Sequence, residues 1–252
     1  MTKFLIAHDL GTSGDKATLF TTDGELVKSI TYMYDTHFFN STWAEQNPDD
    51  WWKAICENNE ELLKEIDKKQ VAGMAFSGQM MGCVPVDKNG RALRPAIIWA
   101  DQRSQDQEKQ IKDKIDEQEF YRIVGHKISA SYSIEKLMWI RDHEPEVFQN
   151  TYKMLQPKDY VIYKLTGKFL TDYTDASGTN CLDLNELKWS ERILEAAEIG
   201  EEKLPDLYPS THVAGEVTGS VAAECGLAPG TPIIIGGGDG VCAAVGAGSV
   251  RE

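Results

Sequence analysis

Two glycine-rich acidic turns stand at opposite ends of this 252-residue sequence: His8-Asp9-Leu10-Gly11-Thr12-Ser13-Gly14-Asp15-Lys16 and Gly236-Gly237-Gly238-Asp239-Gly240. Each follows an apolar run suited to a buried strand, residues 4–7 in one case and 232–235 in the other. Glycine admits positive φ and close approach of the backbone to a ligand, while a carboxylate just past a strand end can hold Mg²⁺ or accept a proton. Such turns suit phosphate, and the two carboxylates are expected to face one cleft.

Between the turns the pattern is α/β. Residues 4–9, 16–21 and 26–34 read as three strands of a meander, with Thr22-Asp23-Gly24 as a hairpin turn. Residues 51–66 carry apolar side chains at helical spacing after Asp49, a plausible N-cap. Strands are expected at 71–76, 83–86 and 96–99, the second with Pro85 at an edge or bulge, and a charged surface helix at 102–115. Further on, Ser133 suits the start of a helix, 158–165 reads as a helix, and 171–179, dense in Asp, Thr, Ser and Gly, reads as a loop. Helices at 189–197 and 220–225 follow, the second stopped by Gly226.

A formal charge of -14 disfavours nucleic acid and anionic membrane as partners, since both require clustered Lys and Arg. Apolar runs fall far short of the roughly 20 residues that cross a bilayer. The five cysteines are scattered without metal-ligand spacing or a secretory leader ahead of them, so they read as reduced thiols of a cytoplasmic protein. His37, His126, His143 and His212 share no metal-site spacing, and His8 reads as a structural histidine.

A nucleotide-dependent phosphotransferase needs amides and a hydroxyl at the phosphates, a carboxylate for the metal and a base for the attacking alcohol. The turns offer each: Asp9 beside Mg²⁺, Gly11, Thr12 and Ser13 along the phosphates, Lys16 as added positive charge, and Asp239 as base. No P-loop is present, because Gly167-Lys168 lacks the upstream glycine. The stretch 238–243 matches a loose dinucleotide fingerprint, but Asp239 would point negative charge at a pyrophosphate. Trp51 and Trp52 read as packing residues, whereas Trp99, ahead of Asp101 and Arg103 at a strand end, suits stacking on a sugar face.

Several ordered segments together resemble the N-terminal half of the FGGY family of sugar kinases, nearest its xylulokinase branch. They are Asp9-Leu10-Gly11-Thr12-Ser13, Trp43-Ala44-Glu45-Gln46-Asn47-Pro48 with Trp51-Trp52, Ser77-Gly78-Gln79-Met80, residues 96–103, Pro157-Lys158-Asp159-Tyr160 and Gly236-Gly237-Gly238-Asp239. Residues 131–143, with Lys136 and Trp139, fit the family's first signature. The resemblance implies an actin-like (ribonuclease H-like) α/β ATPase domain, a mixed sheet flanked by helices. Residues 1–252 would be the sugar-binding domain, and a C-terminal nucleotide-binding domain would lie outside the chain. It further implies ATP and Mg²⁺ as cofactors, the metal reached by Asp9 through the nucleotide, and phosphorylation of a pentulose such as xylulose or a related polyol. Asp239 would be the catalytic base, with Gln79, Met80, Met81, Trp99, Asp101 and Arg103 around the substrate. Met81 stands where xylulokinases have His, and Gly240 where they often have Asn. The alternative is a non-catalytic sugar-binding or regulatory module of the same fold. Expected partners are a small sugar or polyol, the C-terminal domain and, through an exposed interdomain face, a second copy in a homodimer.

Overall fold

The computed structural model describes residues 3–249. The sequence nucleates a six-stranded sheet in the order Val213–Glu216, Pro232–Gly238, Val71–Gly78, Phe4–Leu10, Gly14–Thr21, Leu26–Met33. The three central strands run parallel, Val213–Glu216 and Gly14–Thr21 are antiparallel to them, and Leu26–Met33 is antiparallel to Gly14–Thr21. Alternation along Phe4–Leu10 turns Phe4, Ile6, His8 and Leu10 inward and leaves Leu5 and Asp9 exposed on the other face. The inward face packs against helices Pro48–Leu62, Pro157–Thr166 and Gly219–Cys225 around Trp51, Ile55, Phe76 and Ile233. A second core, built on Phe120, Leu137, Trp139 and Ile193, lies among helices Gln105–Lys112, Glu117–Val124, Ser133–His143 and Glu191–Ala197.

Several local expectations change. Pro48 opens the first helix and Asn47 caps it, accepting from the Asp49 amide, so Asp49 is the second helical residue rather than the cap. Ser133 is the first helical residue after Tyr132, and its hydroxyl instead donates to the Gly82 carbonyl at 2.7 Å. The segment expected as a loop at 171–179 forms strand Leu170–Asp172 and helix Tyr173–Ser177, capped by the Asp172 carboxylate. Its polar residues face a buried lysine, a partner that lies outside the local sequence. The helix expected at 102–115 is shorter, Gln105–Lys112, and Ser190 caps Glu191–Ala197. Helices Glu117–Val124 and Pro145–Asn150 and the edge strand Val213–Glu216 were not legible in the pattern. Pro85 does sit in a two-stranded sheet, Val84–Val86 against Lys153–Leu155.

The final strand is longer than the apolar run. It continues through the glycines to Gly238, and helix Asp239–Gly246 begins immediately after it. A bulge makes this extension fit: the register against Val71–Gly78 shifts between Ile234 and Gly237, with Gly236 at φ 74°. A Cβ on Gly236 would lie 1.7 Å from the Phe76 carbonyl oxygen, with main chain on both sides. Gly236→Ala is therefore expected to lower stability by about 3 kcal/mol. Urea unfolding checks this through a lower midpoint at unchanged slope.

Candidate active site

Three adjacent parallel strands bring the two acidic turns together. Asp9 is level with Ser77, and Ser77 with Gly237, two residues before Asp239. Two inter-strand spacings of about 4.8 Å each put these backbone positions roughly 10 Å apart. Asp9 is the penultimate residue of its strand rather than a turn residue. Its exposed carboxylate accepts no hydrogen bond among the described residues, and Lys16 lies beside it as its cross-strand neighbour. Burial and then the negative charge of Asp9 raise the pKa of Asp239, against the opposing bond from the Gly240 amide to Oδ1 at 2.6 Å.

The turn after Asp9 is braced from below. The Gly11 amide closes it onto the Asp9 and Gly14 carbonyls, each at 3.0 Å, so Gly11 offers no free donor there. The Thr12 and Ser13 amides have no such partner among the described residues. Tyr34 donates its hydroxyl to the Gly11 carbonyl. Gln46, buried, donates Nε2 to the Thr12 carbonyl at 2.6 Å and accepts from Trp51 Nε1 and Gln79 Nε2. Gln79 also reaches the Gly11 carbonyl at 3.3 Å. This glutamine pair holds the turn's carbonyls, while the Thr12 and Ser13 amides stay without a protein partner among the described residues. Sequence reasoning placed Gln79 at the substrate and gave Gln46 no role; the Trp43 to Pro48 motif was the available signal. Trp99, 42% exposed, donates Nε1 to the Thr12 hydroxyl at 2.8 Å, so its ring lies at the rim of this turn.

Gln79-Met80-Met81-Gly82 forms the next loop. Met81 sits at φ 62°, and its carbonyl is held by the buried Lys136 ammonium at 2.6 Å. Burial pulls Lys136 down to about 8. The Gly82 amide is held by Gln156 Oε1 at 2.8 Å. Met80 packs so closely on the last strand that a Cβ on Gly238 would lie 2.4 Å from its sulfur. Met80 and Met81 line a cavity of about 490 Å³ together with Gly240 and Val241, the residues directly after Asp239.

Asp101 and Arg103 are drawn elsewhere. Asp101 is fully buried, accepts from the Ala44 amide at 2.6 Å, and pairs with Arg103 Nη2 at 2.7 Å. Arg103 also meets Glu45 at 2.8 Å and stacks on Trp43 with 3.8 Å to the ring centroid. Both side chains are thus committed to bracing the loop that carries Trp99, and neither lines the cavity at Met80 and Met81. They were expected at the substrate; the contacts observed here give them this positioning role. Among the described residues, no group of three or more His, Cys, Asp or Glu is arranged to hold a metal, and no helix is long and apolar enough to cross a membrane.

Residues 4–246 match the N-terminal domain of the FGGY family of carbohydrate kinases. The chain belongs to that family. It is 34% identical over 245 residues to the xylulose kinase of Escherichia coli (strain K12), covering 97% of this chain and 50% of that protein. It is 29% identical over 252 residues to the gluconokinase of Bacillus subtilis (strain 168), covering 100% of this chain and 49% of that one. The crystal structure of xylulose kinase from Rhodospirillum rubrum superposes with a TM-score of 0.94 at 27% identity, over 99% of this chain and 51% of that one. The fold is the actin-like one expected from the sequence. The chain spans about half the length of the curated relatives it matches.

One charged cluster underlies this FGGY domain. Lys158 is fully buried, with Nζ 2.9 Å from Asp159, 3.2 Å from Asp172 and 3.2 Å from Asp175. Asp172 accepts from Thr174 and Ser210 hydroxyls, each at 2.6 Å, and the Thr174 hydroxyl accepts from the Gly238 amide at 2.8 Å. Burial raises Asp159 and Asp175 against the pull of Lys158, while Lys158 itself is raised by its three carboxylates. Lys158→Met leaves buried carboxylates without their countercharge and is expected to cost about 3–5 kcal/mol at pH 7. Carboxyls whose folded pKa is raised take up protons on folding, so the deficit should shrink as pH falls from 7 toward 5. Denaturant midpoints at several pH values check both statements.

Proposed function

We propose that this chain is the sugar-binding half of an ATP-dependent carbohydrate kinase that phosphorylates a primary hydroxyl of a pentulose, such as xylulose, or of a related polyol. The supporting observation is the placement of Asp9 and Asp239 at the ends of strands flanking Val71–Gly78, on either side of the Ser77 row. Asp239 Oδ1 is occupied by the Gly240 amide, which leaves Oδ2 to take the acceptor proton. The acceptor oxygen then bonds to the γ-phosphorus as the bond to the ADP oxygen breaks. The Thr12 and Ser13 amides and Lys16 would bind phosphate oxygens. Asp9, exposed and without a hydrogen-bond partner among the described residues, fits a hard cation held through the nucleotide. Mg²⁺ bound there would neutralise phosphate charge. A module that only bound sugar would have no use for a raised carboxylate in this position.

In the enzyme carrying its second domain, Asp239→Asn should abolish most turnover while sugar affinity changes little. Steady-state rates beside calorimetry check it, and full activity would remove Asp239 from the mechanism. Turnover should fall on the acid side as Asp239 protonates. Asp9→Asn removes one of the causes that raise Asp239, so that acid limb should move to lower pH. A pH profile of kcat/KM reads the shift.

The 252 residues alone carry half of the closed, water-excluding cleft that phosphoryl transfer needs. They are expected to bind sugar weakly, bind ATP poorly and show no appreciable turnover. Robust sugar-dependent ADP release in a coupled assay would overturn this placement of the nucleotide site.

A further inference from the structure

Inside the core under the sheet lies a polar cluster that the proposed chemistry does not use. The inward positions are Phe4, Ile6, His8 and Leu10 on the first strand and Asp15, Ala17 and Leu19 on the second. His8 and Asp15, 1% and 0% exposed, interrupt an otherwise apolar stripe. His8 Nδ1 lies 2.8 Å from Asp15 Oδ2, and Asn58 Nδ2 donates to that oxygen at 2.7 Å and to the Asp15 carbonyl at 2.9 Å. On its other side the ring meets Asn59 Oδ1 at 3.0 Å. Asn59 Nδ2 donates to the Cys225 carbonyl at 3.0 Å, which can only accept, so His8 Nε2 is the donor to Asn59 Oδ1. Phe76, level with His8 on the neighbouring strand, stacks on the ring.

Stability does not account for this cluster. A buried charged pair is often replaceable by apolar residues without loss, and Asp15 Oδ1 is left buried with no hydrogen-bond partner among the described residues. What the cluster fixes is register. Asp15 stands opposite Leu10 and His8 opposite Ala17, so the two side chains meet on the diagonal across the neck of the turn. A slip of two residues keeps every inward side chain inward, so apolar alternation cannot forbid it. That slip would set Asp9 opposite Gly14 or Thr18 in place of Lys16, reshape the turn between them and break the diagonal contact. Asn58 and Asn59 tie the observed register to helix Pro48–Leu62 behind it.

We propose that His8 and Asp15 are positioning residues for the nucleotide: their clasp, anchored by Asn58 and Asn59, holds the one register in which Asp9, Lys16 and the Thr12 and Ser13 amides face the cleft together. The four clasp side chains act through the turn and touch no ligand themselves. This rests on the carbohydrate-kinase reading and adds to it the residues that set the phosphate turn. The Met80 and Met81 loop is held separately, by Lys136 and Gln156, so loss of the clasp falls on ATP and spares the sugar.

Steady-state kinetics and sugar calorimetry on the enzyme carrying its second domain test it. His8→Leu and Asp15→Leu each strand a buried partner and should lower the thermal midpoint, whereas the two together remove the buried charge and should bring the midpoint back toward wild type. The KM for ATP should nevertheless rise about tenfold or more in the double variant as in the single ones, the scale on which a displaced binding group acts, while sugar affinity stays unchanged. Should a single variant fail to fold, Asn58→Ala is the milder substitution: it frees Asp15 on one side, keeps its contact with His8 and should raise the KM for ATP in the same sense. A KM for ATP that tracks the thermal midpoint across these proteins, or that stays at the wild-type value in them, overturns the inference, because packing alone then sets the turn. Sugar affinity that falls in step with ATP overturns it equally, since the defect is then general. Both results leave the kinase reading standing. Absence of sugar-dependent ADP release from the unsubstituted enzyme overturns that reading and this inference together.

Discussion

Lys158 is the interaction on which the geometry of this domain depends. A single ammonium with no exposed surface gathers three carboxylates from three elements: Asp159 from its own helix, Asp172 from a short strand and Asp175 from the turn of helix that follows. Asp159 also accepts from the Gln156 amide, and Gln156 holds Gly82 at the end of the methionine loop. Asp172, through Thr174, holds Gly238 immediately ahead of Asp239. The proposed base and the loop that would orient the substrate are thus referenced to the same buried charge. Such a cluster is poor evidence for stability, since desolvation of four ionic groups offsets much of the attraction. Its value lies in fixing which strand end faces which loop.

The acidic pair uses the opposite logic. Asp9 and Lys16 lie on the sheet face that the three helices leave open, so Asp9 gives up little hydration and remains available to a ligand. Asp239, exposed at the start of its helix yet partly desolvated by the surrounding protein and within reach of the Asp9 charge, is raised in pKa. In the proposed mechanism one carboxylate would meet the nucleotide's cation and the other would accept a proton, so two chemically identical groups would serve different roles.

The strands that carry the site were legible because their signals are local. Apolar alternation at 4–10, the hairpin at Gly24 and the glycine run ending at Asp239 each follow from steric rules that neighbours cannot override. The failures share a cause. Residues 171–179 read as a loop because their carboxylates and hydroxyls have no visible partner within the segment, and Lys158 supplies that partner from another helix. Asp101 and Arg103 read as substrate ligands because spacing cannot reveal that the two bond each other and that Trp43 covers the guanidinium. Gln46 stood inside a segment quoted for resemblance, yet nothing in its identity as a glutamine announces that it aims at the Thr12 carbonyl. Chemistry of residue type is readable from sequence; which acceptor a buried donor meets is decided by topology.

The two apolar cores divide the work. The core under the sheet holds Ile6, Leu10, Phe76, Ile233 and Ile235, and so fixes the strand that carries Asp9, the strand that leads into Asp239 and the one between them. The second core holds Leu137, Trp139, Leu182 and Trp189, and so fixes the Lys136 helix under Met81 and the hairpin that presents Leu187. Cross-links between the cores at the site are polar and directional: the Ser133 hydroxyl to the Gly82 carbonyl, Gln156 Nε2 to the Ser133 hydroxyl, and Gln156 Oε1 to the Gly82 amide. Packing tolerates volume-conserving change, whereas such bonds fix position. The residues that vary the walls of the cavity can therefore be exchanged within the second core and its hairpin without moving the carboxylates that the first core holds. On the proposed kinase reading, a fold organised this way could change the sugar it accepts while leaving the carboxylates proposed for phosphoryl transfer where they are.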